Sequence, residues 1–376
     1  MNQKPEIGLH KYDLDTPCLV IDVDALQDNL NVMQQHGLHH HVNIRPHAKT
    51  HKCSQLAKLQ MQFGAIGICA TKISEAEVLV SHGVMDVLIT SPIITKQKLK
   101  KLAHLLLAAP QLLVVTDNIN NVFDLNQIGE SIRQSVRVLV DIDPGIGRTG
   151  INPAQALELA MAIDQCPWLT LQGIQCYAGN LQHILSYEER RKKSIAVMRM
   201  AAQVLNLFRE HHLQCSILTG SGTGTYDIDV AVPEVTEIQP GSYAVMDVEY
   251  YAIGSKHNAT AFPVFKHAMT LLTSVISSNR QEHVTVDAGT KSVYVDSSHK
   301  PQIINFKNLQ YDWGGFGDEH GKVTAIDHAN LPRQGEVLEL IVPHCDPTIN
   351  LFDKFYITKQ DVVIDVWNID MRGKAQ

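Results

Sequence analysis

The chain has 376 residues, which at roughly 150 residues per domain provides for two domains or three and rules out a stapled mini-protein. Lys and Arg number 32 against 39 Asp and Glu, a formal charge of −7 spread without blocks of one sign, so nucleic acid is not the expected partner. Hydrophobic residues at 44% and charged residues at 19% exclude disorder as the dominant state, and the longest apolar stretch, Leu102 to Val115, is broken by His104, Pro110 and Gln111, short of the ~20 residues of a membrane span.

The first residues, MNQKPEIGLHK, lack a hydrophobic signal core. LDTPCLVID follows, and its Val20 to Asp22 run reads as a strand that packs with something later in the chain. HGLHHH (36 to 41) reads as a solvated helix end. From there short apolar β-rich runs alternate with helix-period segments. The runs are Val42 to Ala48, Ala65 to Ala70, Asp86 to Thr90, Gln111 to Thr116, Val136 to Asp141, Leu169 to Cys176, Ser216 to Thr219 and Glu237 to Gln239, eight in all. Between them SEAEVLVSHG closes in Gly83, NPAQALELAMAIDQCP opens with Asn152 as N-cap and Pro153 in the first turn, and EHH (210 to 212) marks another solvated helix end. Strand and helix alternating eight times imply a parallel sheet, and at ~250 residues its natural closure is a (β/α)8 barrel, with a doubly wound open sheet as the rival. After about residue 260 the runs AMTLLTSVISSN, HVTVDAGTKSVYVD, GEVLELIVPHCD and DVVIDVWNIDMRG are β-rich with little helical period. The expected division is a barrel over 23–258 and an all-β domain from 1–22 plus 259–376. Seven Cys at irregular spacing, with no CxxC pair, suit reduced thiols and a cytoplasmic location.

Working residues of such a barrel lie at the carboxyl ends of its strands. The first strand ends in RPHAKTHK, which brings Lys49 there; the fifth runs VLVDIDPGIGRTG, with Arg148 in its loop; the sixth gives GIQCYAGNLQH, with Tyr177 near its end and His183 beyond. The seventh runs into LTGSGTGT and the eighth into QPGSY, glycine-rich loops whose amides and hydroxyls can cradle an anion. Each element has a plain reading by itself: a solvated Lys49, an ordinary turn, Arg148 paired with Asp141 or Asp143, a packed Tyr177. Together, a phosphate cradle and a Lys on the first strand point to a phosphorylated aldehyde held as a Schiff base, pyridoxal phosphate. Downstream, VPHCDPT follows a strand pattern, so alternation puts His344 and Asp346 on one face and Cys345 on the other. An imidazole and a carboxylate on one face can hold two positions of a divalent ion, and the hard Asp oxygen lets Mn or Mg compete with Zn; the plain reading is a strand end turning at Pro347.

In DTPCLVID, RPHAKTHK, DIDPGIGRTG, YAGNLQH, TGSGTGT, EIQPGSY and PHCDPTINLFD the chain resembles, over nearly its whole length, the D-threonine aldolase and D-serine dehydratase group of pyridoxal-phosphate enzymes. That resemblance implies an alanine racemase-like fold (fold type III), a barrel followed by the β domain. It implies Lys49 as the Schiff-base lysine, Arg148 at the cofactor phenolate, Tyr177 near the pyridine nitrogen, and Gly222, Thr223, Gly224, Gly241, Ser242 and Tyr243 around the phosphate. It further implies His344 and Asp346 as metal ligands and a homodimer. Dehydratase members of the group carry Cys two positions after the metal-binding His; Asp346 stands there in this chain, which favours the aldolase side. The expected reaction is retro-aldol cleavage of a D-3-hydroxy amino acid to glycine and an aldehyde, with His183 or a metal-bound water taking the hydroxyl proton. The alternatives are dehydration of D-serine or D-3-hydroxyaspartate with Lys49 removing the α-proton, a racemase, for which no second acid or base is visible, and a non-catalytic cofactor carrier, which has no use for a metal-bearing β domain.

Overall fold

Strand β1 (Cys18–Asp22) is an apolar run that ends where Asp22 turns its carboxylate onto the amides of Asp24 and Ala25, at 2.9 and 3.1 Å, and so caps α1 (Val23–His40). The helix buries Leu26, Leu30 and Met33, spaced to share one face, and ends at His41 in a left-handed conformation. These residues belong to a computed structural model that describes positions 5–295, 298–327 and 329–376.

The alternation then runs as the sequence pattern implies: β2 (Asn43–Ile44), α2 (Ser54–Gln62), β3 (Ile68–Ala70), α3 (Ile73–Ser81), β4 (Val87–Ile89), α4 (Lys96–Ala108), β5 (Leu113–Thr116), α5 (Ile119–Ile132), β6 (Val136–Asp141), α6 (Ala156–Asp164), β7 (Leu169–Cys176), α7 (Tyr187–Glu210), β8 (Ile217–Gly220), α8 (Tyr226–Asp229) and β9 (Glu237–Ile238). The eight strands β2 to β9 pair in parallel in the order β2-β9-β8-β7-β6-β5-β4-β3. β2 is short because Pro46 has no N–H to give to a ladder. The chain beyond it still closes the curve: Ile66 donates to Ile44 at 3.0 Å, Cys69 to Pro46 at 2.8 Å and Ala48 to Cys69 at 2.9 Å. The result is the expected barrel. Alternation divides its side chains, with Cys69, Leu88, Leu113, Val115 and Leu139 forming one buried cluster while Ile68, Ala70, Val87, Ile89, Val114, Val138 and Val140 join the helices in another. At Gly173 the β6 to β7 register shifts, φ is +146°, and a Cβ would stand 1.9 Å from the Ile217 carbonyl, so only glycine lets β8 come this close.

After α9 (Val248–Tyr251) the chain builds a mixed sheet from β10 (Met269–Ser277), β11 (His283–Val286), β12 (Gln302–Ile303), β13 (Leu309–Asp312), β14 (Gly321–Ala325), β15 (Val337–Ile341), β16 (Lys354–Lys359) and β17 (Val362–Asn368). β1 is built into its middle, antiparallel to β10 and parallel to β16. The opening segment is thus stitched to strands more than 240 residues away, with Leu19 lying opposite both Leu271 and Phe355. The expectation of a purely β second region needs one correction. The VPHCDPT segment does not continue β15; α10 (Cys345–Ile349) starts there, with His344 at its N-cap. Among the described residues no helix is long and apolar enough to cross a membrane, and all seven cysteines are free.

Candidate active site

A cavity of about 580 Å³ opens at the carboxyl ends of the barrel strands, lined among others by Lys49, Thr90, Asp117, Arg148, Tyr177 and Gln239. Lys49 reaches it because the chain turns tightly after Pro46. His47 donates its amide to Pro240 at 3.0 Å and accepts the Lys49 amide on Nδ1 at 3.3 Å. Its Nε2 must then carry the proton and give it to Thr90 Oγ1 at 3.1 Å. Arg148 lies 5.7 Å above the centre of the Tyr177 ring. It pairs with neither aspartate considered from sequence: Asp143 instead accepts the amides of Gly145 and Ile146, both at 2.9 Å, and Asp141 accepts Gln175 Nε2 at 2.9 Å. Burial pushes the Asp141 carboxyl up to about 6 against the hydrogen bonds from Gln175 and Thr149.

Two glycine-bearing loops lie beside each other next to this mouth. Gln182, one residue before His183, accepts the Gly224 amide at 3.0 Å and donates to Thr225 Oγ1 at 3.1 Å; a Cβ on Gly224 would stand 2.1 Å from the Gln182 carbonyl. Tyr243 gives its amide to Thr223 Oγ1 at 3.0 Å, tying the loop after β9 to the loop after β8, and its hydroxyl accepts from Gln60 at 3.3 Å. Among the described residues the amides of Thr223 and Ser242 have no protein acceptor.

The second sheet delivers the remaining groups. Lys49 Nζ forms an ion pair with Asp346 of α10, whose other oxygen is 3.5 Å from Ser242 Oγ. Burial opposes the charge on both members of the pair, but Asp346 holds the Lys49 amine above its ordinary value, and Lys49 with His344 holds Asp346 well below the usual carboxylate range. His344 Nδ1 lies 3.2 Å from Asp247 Oδ2 and 3.1 Å from Glu249 Oε2. Burial works against the charged ring, yet these two hydrogen bonds and nearby Asp346 push it up to about 10. Strand alternation is not what separates His344 and Asp346 from Cys345. A helix begins at Cys345, whose buried thiol turns to the Met246 carbonyl at 3.1 Å while Asp346 turns to Lys49. His183 packs its ring 4.4 Å from that of Tyr250 and edge-on, 6.2 Å, to that of His344. Its Nδ1 is buried without a partner, and burial holds the ring below its usual range. Among the described residues no three His, Cys, Asp or Glu converge tightly enough to hold a metal by themselves.

Asp247, Glu249 and Tyr250 were not visible as site residues in the sequence. Asp247 is fully buried, caps α9 through the Tyr250 amide at 2.9 Å and accepts the Cys345 amide at 3.0 Å, so one carboxylate starts both short helices and aims the His344 ring. The signal available was an Asp followed two positions later by Glu in the otherwise apolar AVMDVEYY.

Comparison with known proteins agrees with this layout. The alanine racemase N-terminal domain family model matches residues 21–248, and the serine dehydratase domain model matches 268–358. D-threonine aldolase from an Arthrobacter species is 37% identical over 96% of this chain and 93% of its own length. The 3-hydroxy-D-aspartate aldolase of Paracoccus denitrificans is 33% identical over 98% of this chain and 95% of its own. The crystal structure of D-threonine aldolase from Filomicrobium marinum, 34% identical, superposes with a TM-score of 0.92 and covers 100% of both chains. The chain belongs to the D-threonine aldolase and D-serine dehydratase family of alanine racemase-like proteins.

Proposed function

We propose that the protein is a D-3-hydroxy amino acid aldolase, dependent on pyridoxal phosphate and a divalent metal, that cleaves substrates such as D-threonine to glycine and an aldehyde. In this reading 23–258 is the cofactor-binding barrel and 1–22 plus 259–376 the domain that brings the metal ligands. The observation that carries it is the meeting of Lys49 with Asp346 of α10, beside an imidazole already aimed by two carboxylates.

The residues present fit both groups. Two partnerless amides in adjoining glycine loops, at Thr223 and Ser242, suit a phosphate, with Gly222, Gly224, Gly241 and Tyr243 completing the cradle. Lys49 supplies the amine that anchors the aldehyde carbon, and Arg148 and Tyr177, on the cavity wall, meet the ring of the cofactor. When bound, pyridoxal phosphate supplies an electron sink for charge left on the substrate α-carbon. For the metal, the carboxylates on Nδ1 fix the His344 ring and leave Nε2 to face an ion, the arrangement common behind metal-ligating histidines. Asp346 is the second ligand, and its hard oxygen admits Mn or Mg as well as Zn. When bound, such an ion acidifies the substrate β-hydroxyl, as zinc lowers the pKa of water from 15.7 to about 7. His183 is the general base: burial holds the ring below its usual range, so it is neutral and able to accept the hydroxyl proton. Tyr250, packed tilted against the ring, holds it edge-on to His344. The free thiols, six of them buried, suit a reducing cytoplasm.

The test is product analysis of the holoenzyme with D-threonine. Acetaldehyde and glycine are the expected products; 2-oxobutanoate and ammonia would move the protein to the dehydratase side. Chelation followed by restoration with Mn, Mg and Zn in turn should return activity and rank the ions.

A further inference from the structure

The largest side chain buried without any exposure is a charged one, Arg190 in α7. A lone guanidinium in a protein interior is costly, and the usual compensation is a carboxylate. No carboxylate forms an ion pair with Arg190 among the described residues, although the nearby Asp227 acts on it through space. Its Nε donates to the Gly224 carbonyl at 2.7 Å, and its two terminal nitrogens donate to the carbonyls of Ile184 and Gly254. The Tyr187 ring covers one face at 5.5 Å.

The three carbonyls come from three parts of the site. Gly224 closes the glycine loop after β8, Ile184 follows His183 directly, and Gly254 ends the turn behind α9, which carries Glu249 and Tyr250. The last two segments are also bonded to each other, Gly254 N to Leu185 O at 2.8 Å. Carbonyl dipoles solvate a cation but do not neutralise it, and Asp227 offsets the guanidinium charge through space without bonding to it, so the positive charge behind the glycine loop is only partly compensated. A purely structural spacer on α7 would need no charge; beyond Ser194, which bonds Asp229, the buried face of this helix is apolar, with Met198, Ala201 and Leu205.

We propose that Arg190 is a positioning residue that makes the phosphate cradle and the His183 loop one unit, and that its charge favours the dianionic phosphate of the cofactor from behind Gly224. The inference rests on the cofactor reading above. It assigns Arg190 two separable effects: the charge acts on phosphate affinity, and the threefold hydrogen bonding acts on the placement of His183.

The experiment uses the full chain stripped of cofactor, with fluorescence titration by pyridoxal phosphate, by pyridoxal, which lacks the phosphate, and by inorganic phosphate. Arg190→Met should lose about tenfold or more in pyridoxal phosphate affinity, the size expected for one charge several ångströms away at an effective dielectric near 20. Its affinity for pyridoxal should stay within about threefold of wild type, the scatter of a change that removes no phosphate contact. Arg190→Lys keeps the charge but cannot reach three carbonyls. It should keep the preference for pyridoxal phosphate over pyridoxal and lose about tenfold or more in kcat at saturating cofactor, with KM little changed. Arg191→Lys, on the exposed neighbour, should match wild type throughout. Arg190→Lys with wild-type kcat overturns the positioning role, and this variant decides the matter if Arg190→Met does not fold. Equal losses for pyridoxal and pyridoxal phosphate in a folded Arg190→Met overturn the charge effect. A wild-type protein that takes up no pyridoxal phosphate overturns the cofactor reading itself, a result distinct from normal uptake by wild type and variant alike.

Discussion

Two cations stand four positions apart in the segment RPHAKTHK and end in opposite situations. Arg45 lies toward the end where β3, β4 and β9 begin, with Nε 2.9 Å from Glu237 and a terminal nitrogen 2.5 Å from Asp86, all its partners within the barrel. Lys49 lies at the opposite end, and its partner, Asp346, comes from α10 in the β-rich second region. The side chain of Arg45 is 3% exposed, whereas that of Lys49 is 38% exposed, toward the cavity. The guanidinium is closed in a fork that nothing else can enter, the arrangement of a structural pair. The amine is held by a single oxygen and remains reachable, which a nucleophile that must change partners requires.

The comparison can be broken at several points. The largest effect is expected of Lys49→Ala, which should reduce aldehyde release from D-threonine to background and abolish the visible absorbance of bound cofactor; retained absorbance would remove Lys49 from its role. His344→Ala and Asp346→Asn should abolish stimulation by added metal in chelator-treated protein, read as activity against metal concentration, with tight metal retention by either variant arguing against the site. His183→Ala should lower kcat by about 10²- to 10⁴-fold, the usual range for a general base, while KM moves little. Arg45→Met leaves Glu237 buried without its partner and should cost about 3–5 kcal/mol of stability in denaturant unfolding, with kcat per folded molecule unchanged. A fall in kcat comparable to that of His183→Ala would mean the two ends of the barrel are not independent. The smallest effect concerns Asp229, fully buried behind the glycine loop on Ser194 Oγ. Burial pushes its carboxyl up to about 6 against hydrogen bonds from Ser194, Thr225 and Ser221, from an ordinary value of 3.8. The folded state therefore holds the proton more tightly than the unfolded chain, and this contribution to stability is present at low pH and lost as pH rises through about 6. Asp229→Asn should gain Tm relative to wild type between pH 4.5 and pH 7 and stay level above that; a difference independent of pH would contradict it.

The barrel was legible because its signal is local and repeated. Each strand is a short apolar run, each helix carries its own period and cap, and eight repetitions leave few topologies open. The second sheet was legible only in part. Its four runs beginning near 268, 283, 337 and 362 became β10, β11, β15 and β17, but β12, β13, β14 and β16 went unseen, β16 although it pairs along its length with β17. The hairpin joining them turns at Gln360 and Asp361, with φ of 51° and 64°, where the sequence lacks the Asn-Gly or Asp-Gly that ordinarily announces such a turn. The same limit explains the VPHCDPT segment. Its residues were singled out for their chemistry, but the helix that presents Asp346 begins because Asp247, 98 positions earlier, accepts the Cys345 amide.

The order of strands and helices in the barrel, the division of apolar from polar faces there, the glycine loops and the identity of Lys49, His183, His344 and Asp346 as chemically apt side chains were all present in the linear pattern, since each depends on neighbours within a few residues. Tertiary structure alone decided which of them meet. The Lys49 to Asp346 pair spans 297 positions, and the carboxylates that aim His344 and the carbonyls that hold Arg190 come from segments that no local period connects. Hydrogen bonds and ion pairs act over a few ångströms of space, and only packing the β-rich sheet against the mouth of the barrel brings those ångströms about.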